Sequence, residues 1–350
     1  MVLIIVLVVI VPLPLLYLYR YRIRKRLGVN PALYRASTEP PKDLDQTQIH
    51  VLKHLHGSRI LPLVTLFQLA EKKLIKFVQV NDKELYVRAE NSSEVPKLKP
   101  WEAELFEIIS GEVEIKLKDL YRKLIDRAYV SEVRERALET LIKKGYIPDH
   151  PSNMGLKQTG ITLLTFISTS ILLIALAYSL LIAALLMIGI VALTITILYA
   201  VAIKFISVHR TRQGEIELLK ARGYVNYLNA RLSSIIDSSD EDRIIDTLNA
   251  VINNNFSWII AINGIKAFTK LKKLSKAITK RWKGSNMIIY WYPFWLYYAP
   301  SRAKGIGSLD DLAKTLSNIS TIFMRSGGGF VGGVGGVGGG AGGGGAAGVG

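Results

Sequence analysis

Apolar and polar positions divide this chain into long uncharged runs, amphipathic stretches and a glycine-rich end. Residues 2–19 read "VLIIVLVVIVPLPLLYLY" without a charge. A bilayer core takes about 20 apolar residues as a helix, so residues 1–19 are expected to hold a first membrane span. No charge lies between Lys157 and Lys204. One helix of that length would extend roughly 70 Å, about twice a bilayer core. A hairpin of two spans is therefore expected over 158–206, turning near "AYS". The stretches between these runs read as α+β modules over 43–98 and 99–150. In the first, a helix capped by Asp43 or Asp45 ends at Gly57. The helix "LVTLFQLAEKKLI" follows, then "KFVQV-NDKE-LYVRAE" as two strands around a turn. The second offers the helix "PWEAELFEIISG", the strand-like "EVEIKL", and the helices "KDLYRKLIDR" and "SEVRERALETLIKKGYI". Helix, helix, hairpin is the outline of a winged helix. The predicted fold class is a mainly α integral membrane protein: three transmembrane helices with tandem winged-helix-like α+β cytosolic modules.

Beyond the hairpin, 207–285 reads as a cytosolic helical domain. Its "IKAFTKLKKLSKAITKRWK" places Ile265, Phe268, Leu271, Leu274, Ile278 and Trp282 at helical spacing on one side and lysines on the other. Such a basic amphipathic helix suits an anionic membrane surface. Residues 286–300, "NMIIYWYPFWLYYAP", are too short to span and rich in aromatics, so they are expected at the headgroup level. A linker, 301–326, leads to a Gly-rich tail, 327–350, which cannot bury enough apolar surface to order itself and is expected to be a disordered tether.

Composition and charge sharpen this reading. The 350 residues are 49% hydrophobic, the net charge is +17 and there is no cysteine, which excludes disulfides and thiol chemistry. Mean hydropathy is +0.26, high for a chain without membrane segments. The positive charge sits beside the uncharged runs. Residues 20–42 open with Arg20, Arg22, Arg24, Lys25 and Arg26. Basic residues stay on the cytoplasmic side, so the N-terminus is expected outside. The expected localisation is the plasma membrane, multi-pass, with the modules and the tail cytoplasmic. Lys157, Lys204, His209, Arg210 and Arg212 flank the hairpin with the same sign. The expected membrane-surface residues are those five at the N-terminal end together with Lys266, Lys270, Lys273, Trp282, Trp291 and Trp295. The spans lack ionisable groups, which disfavours transport.

Candidate chemistry is sparse. His50 and His54 stand four apart in "HVLKHLH", a spacing that can share a metal, but no Glu follows His50 and no third ligand is evident. They read as surface or packing histidines. No nucleotide loop or nucleophile motif appears, so no enzyme, cofactor or metal is expected. Winged helices often bind DNA, yet residues 43–149 carry as many acids as bases, and phosphate binding needs basic clusters. Lys72, Lys73 and Lys76 are the weak nucleic-acid candidates.

The ordered set "EPPKDLDQTQIHVL", the paired modules, the hairpin, "TRQGEIELLKARGYVNYL", "DEDRIIDTL", "FSWIIAINGIKAF" and the glycine tail resembles the DUF2207 family of predicted membrane proteins, YciQ-like, over most of 36–350. That resemblance implies an architecture and no reaction. Family members carry an extracytoplasmic domain before the first span; here Met1 opens the span, so that domain is expected to be missing or separately encoded. The function expected is a non-enzymatic membrane scaffold presenting protein-interaction modules, with self-association open. The alternatives are a membrane-tethered winged-helix DNA-binding regulator and a subunit of a membrane complex or oligomeric pore. The expected partners are the anionic cytoplasmic leaflet and a protein or second copy, with nucleic acid disfavoured.

Overall fold

Helix α1 (Gln46–Lys53) begins at a capping box: Asp45 Oδ1 accepts from the Gln48 amide at 2.8 Å and Gln48 Oε1 accepts from the Asp45 amide at 3.1 Å. Each satisfies a donor that the first helical turn leaves open, worth about 1 kcal/mol. The computed structural model describes residues 28–55, 57–80, 84–90, 97–151, 171, 210–236, 238, 240–282, 293–298 and a few positions between 312 and 322. Helix α2 (Leu61–Glu71) starts with Pro62 in its first turn and is buried from Leu61 to Ala70. A helix that is apolar on all sides belongs inside, and α2 is the axis of the fold. Its two buried polar residues, Thr65 and Gln68, find partners on α1: Thr47 bonds to both, and Gln68 Nε2 donates to Gln46 Oε1 at 2.8 Å.

Strands β1 (Ile75–Gln79) and β2 (Leu85–Ala89) form an antiparallel hairpin, and α3 (Pro100–Ser110) follows. The two-residue β3 (Ile115–Lys116) pairs with β2, and α4 (Leu117–Asp126) and α5 (Tyr129–Lys143) complete the first half. α5 stops where Gly145 takes φ +74° and the Tyr146 amide reaches back to Leu141 O at 2.9 Å. The second half holds α6 (Arg212–Ser234), α7 (Glu241–Leu248), a π-helical turn (Asn249–Asn253), α8 (Phe256–Asn263), α9 (Lys266–Trp282) and β4 (Leu296–Tyr298). β4 lies parallel to β1, giving the sheet order β3-β2-β1-β4.

One core joins the halves. α8 packs on α1 and α2, and α6 packs on α8 and α1. Phe67 of α2 has its ring 5.2 Å from Phe77, 5.3 Å from Phe256 and 5.2 Å from Trp295, the last at 87°. Edge-to-face pairs of this kind add about 0.5–1.5 kcal/mol beyond area burial. α6 lies against other backbone at two glycines. A Cβ on Gly214 would meet Tyr146 O at 2.2 Å, and one on Gly223 would meet Tyr34 O at 2.2 Å.

These observations correct the expected fold class. Among the described residues are nine α-helices and a small mixed sheet, an α+β arrangement, and no helix there is long and apolar enough to cross a membrane. The expected multi-pass plasma-membrane localisation is corrected on the same ground. The three predicted spans, within 1–19 and 158–206, lie outside the described residues except for Ile171. The tandem modules are corrected too: "EVEIKL" gives its strand to the first hairpin, and α5 packs on α1, so both segments share one sheet and one core.

Candidate functional site

Two helix C-termini, those of α1 and α8, draw a group of cations together. The last carbonyls of a helix have no partner within it and carry the negative end of its dipole. At the end of α1, Arg210 Nε donates to Leu52 O at 2.6 Å and its Nη2 to Lys53 O at 2.8 Å. Arg134 Nη2 donates to Leu55 O at 2.8 Å. At the end of α8, His50 Nδ1 meets Ala261 O at 2.9 Å and Lys53 Nζ donates to Ile262 O. The next side chain, Asn263, has a buried Nδ2 without a partner.

This arrangement sets the protonation states. A carbonyl only accepts, so His50 carries its proton on Nδ1 and leaves Nε2 bare; that atom is buried without a partner. Burial pushes His50 down to about 3. The His54 ring lies 4.7 Å from that of His50. His54 falls to about 4, first through burial and then through Lys53, Arg210 and Arg222. Lys53 is lowered by burial and by Arg222, Lys266 and Arg210. Glu215 meets Arg210 at 3.4 Å. Sequence reasoning singled out the histidines but assigned them no partner, and it read Arg210 only as a flanking charge. Among the described residues no group of three His, Asp or Glu side chains could hold a metal ion.

Lys266 also opens α9 and so begins a second basic feature. Lys266, Lys270, Lys272, Lys273 and Lys276 are exposed, while Ala267, Phe268, Leu271 and Leu274 are buried. Phe268 stands 5.7 Å from Phe256 and 6.3 Å from Phe67. These four apolar residues of α9 are thereby taken up by the protein's own core, while Lys266, Lys270 and Lys273 of the expected membrane-surface set stay exposed. Trp295, expected at that surface, is instead fully buried, and its Nε1 donates to Ile252 O at 3.3 Å. Trp282 ends α9, with its side chain outside the description; Trp291 and the basic residues from Arg20 to Arg26 also lie outside it.

The nucleic-acid candidates are engaged elsewhere. Lys72 Nζ lies 2.6 Å from both oxygens of the buried Glu102, which also accepts the Lys99 amide at 2.8 Å. Lys76 pairs with Glu90 at 2.9 Å, and Lys73 sits 5.4 Å over the Phe294 ring.

A further buried carboxyl, Glu71 at the end of α2, accepts from Ser257 N at 2.7 Å and meets Ser257 Oγ at 2.6 Å. It caps the N-terminus of α8, whose own cap residue Asn255 makes no side-chain cap bond. Burial pushes Glu71 up to about 7. Nothing in the local sequence signals that partnership, which spans 186 residues. Compared with known proteins, the chain matches no family model, no curated protein and no solved structure.

Proposed function

We propose that this protein is a non-enzymatic interaction scaffold that docks an acidic partner protein on the lysine face of α9. One observation carries the reading. Five exposed lysines occupy a 17-residue helix that has no acidic residue and whose Ala267, Phe268, Leu271 and Leu274 are already buried. The helix is about 25 Å long, enough for several turns of an acidic segment. A one-signed face raises the encounter rate with an oppositely charged partner and discriminates against basic ones. The buried ionisable groups support binding over chemistry, since Glu71, His50 and Glu102 are each committed to a hydrogen bond that holds two helices or a cap together. Nucleic acid has less support, because Lys72 and Lys76 are paired with Glu102 and Glu90.

The test is fluorescence anisotropy of labelled polyglutamate and of a DNA duplex at physiological salt. The expected result is saturable polyglutamate binding that weakens about tenfold or more in Lys270→Glu/Lys273→Glu, since each lost contact with an ionised group is worth about 1.4 kcal/mol or more. DNA binding tighter than polyglutamate binding, or polyglutamate binding indifferent to the substitutions, overturns the proposal.

A further inference from the structure

Helix α7 is the electrical opposite of α9. Ile244, Thr247 and Leu248 turn it to the core, while Glu241, Asp242 and Asp246 are exposed. Asp240 joins them as the N-cap, its Oδ1 accepting from the Arg243 amide at 3.2 Å. None of these carboxylates meets a cation among the described residues. Elsewhere the surface acids are mostly paired within the chain: Glu84 with Lys116, Glu90 with Lys76, Glu112 with Lys123 and Glu114 with Arg88. No other described helix carries more than one exposed carboxylate left without a cation. At about 100° per residue, Asp242 and Asp246 lie about 40° apart on the side opposite Ile244 and Leu248, so they form one outward column. Arg243, the one base on α7, stands about 100° round from Asp242. α9 repeats this layout in the other sign. Its Lys266 and Lys270, and its Lys272 and Lys276, stand four apart on the outward side. Like charges at that spacing weaken their own helix, and among the described residues neither column meets its opposite.

We propose that the acidic partner of the α9 lysine face is a second copy of this chain, which offers its α7; this rests on the reading of α9 as a docking face and adds the occupant. Charge complementarity carries it. One chain displays two unpaired columns of opposite sign on different helices. The net charge of +17 keeps copies apart unless a local excess of acid meets the lysines, and α7 is where the described surface holds one. The lengths agree as well. Asp240 to Asp246 covers about 9 Å of helix and Lys266 to Lys276 about 15 Å, so the acidic column fits within the basic one. In a two-fold pair each α7 meets the other copy's α9, and the contact is made twice. Surface ion pairs are individually weak, and two helix faces are smaller than the interface of a permanent dimer. The pair is therefore reversible, in exchange with the monomer.

The experiment is carbodiimide cross-linking of the full-length chain, mixed in equal parts as isotope-labelled and unlabelled protein. The reagent joins a carboxylate to an amine only where the two touch. The expected products link Asp242 or Asp246 of one isotope to a lysine between Lys266 and Lys276 of the other. Links within one isotope only, or no links, overturn the proposal. Charge reversal gives a second measurement on the same chain. Asp242→Lys/Asp246→Lys and Lys270→Glu/Lys273→Glu should each weaken self-association in sedimentation about tenfold or more, because like charges then face each other. An equal mixture of the two variants should restore it, since every basic column again has an acidic one to meet. Self-association unchanged in both variants, or not restored by mixing, overturns the proposal. Polyglutamate separates this occupant from the docking face itself. Asp242→Lys/Asp246→Lys keeps the lysines of α9, so it should bind polyglutamate at least as tightly as the native chain does. A native chain that binds polyglutamate and forms no mixed link has a different acidic partner, and the second copy alone is overturned. A chain that does neither overturns the docking face as well.

Discussion

Two late stretches of the chain, α9 and the segment Pro293–Tyr298, carry one sequence signature and reach different ends. Both combine aromatic and aliphatic side chains with basic neighbours, and both read as lipid-facing. In the structure α9 is divided lengthwise, with Phe268, Leu271 and Leu274 in the core and the lysines from Lys266 to Lys276 outside. The aromatic segment goes inside: Trp295 is fully buried, Phe294 N donates to Asn253 Oδ1 at 3.1 Å, and Leu296 pairs opposite Phe77. The difference lies in backbone bonding. A helix satisfies its own amides and can rest on a surface. A short extended segment cannot, so it is buried only where a sheet edge and a socket receive it. Here β1 is the edge, and the π-helical turn is the socket, with Ile252 O turned to the Trp295 indole.

That comparison breaks if Trp295 behaves as a surface residue. Trp295→Ala removes the largest fully buried side chain among the described residues and its edge-to-face contacts with Phe67 and Phe77. The expected loss is about 3–5 kcal/mol of stability, seen as a lower denaturant midpoint together with faster amide exchange along β1. A change below about 0.5 kcal/mol, the range of plain surface substitutions, would return Trp295 to the surface. Phe268→Ala asks the same of α9. Its ring is 2% exposed at the rim of the same aromatic cluster, so about 3 kcal/mol is expected. Equal losses for the two residues would show that α9 is as deeply integrated as β4.

The signals legible in the sequence were local ones. Asp45 and Gln48 announce a capped helix three residues apart. The alternation in "KFVQV" and "LYVRA" announces a hairpin. What stayed hidden was pairing over distance. Nothing near "EVEIKL" says that its strand joins β2, and nothing near His50 points to Ala261 O, 211 residues on. The apolar stripe of α9 was visible, yet a stripe specifies only that it must be covered and not by what. Gly214 and Gly223 belong to the same class: their role is the absence of a side chain against Tyr146 O and Tyr34 O, which only the packed structure reveals. The candidate site was half legible, as an HxxxH pair whose neighbours Arg210, Arg222 and Lys266 arrive from elsewhere in the chain.

Beneath both stretches lies α8, and its cap makes their common support pH-dependent. Glu71 is raised from 4.5 to about 7 and Asp45 from 3.8 to about 6, in both cases chiefly by burial. Between the unfolded and folded values the native state holds the extra proton, so these carboxyls add stability as pH falls through that window. His50 and His54 run the other way. They are lowered from 6.5 to about 3 and about 4, so the unfolded chain takes the proton first and stability is lost as pH falls below 6.5. Between pH 4.5 and 6 the two pairs oppose each other, and a nearly flat stability profile is expected, declining below pH 4. Glu71→Gln removes one stabilising protonation. The flat region should then tilt by about 1.4 kcal/mol per pH unit, the weight of one uncompensated proton. Urea melts at half-unit steps of pH check this, and an unchanged profile in the variant would show that the Glu71 carboxyl is not the proton carrier.

The smallest expected effect is the most informative about α9. Lys270 is exposed on the helix side opposite Phe268 and Leu271, and exposed substitutions of this kind change stability by no more than about 0.5 kcal/mol. Lys270→Ala should therefore leave the melt where it is while weakening binding of an acidic probe, because a solvated lysine contributes charge to the surface and little to the fold. Lys53, one helix end away, has its Nζ on Ile262 O, and its removal leaves that carbonyl without its cation. Lys53→Met keeps the aliphatic stem and removes the ammonium, so it should lower the melt measurably where Lys270→Ala does not. If the two substitutions shift the melt alike, the division of the basic residues into an inner set that holds helix ends and an outer set that meets a partner fails. If they separate, a basic residue near a helix terminus can be sorted by its carbonyl partner alone, before any ligand is known.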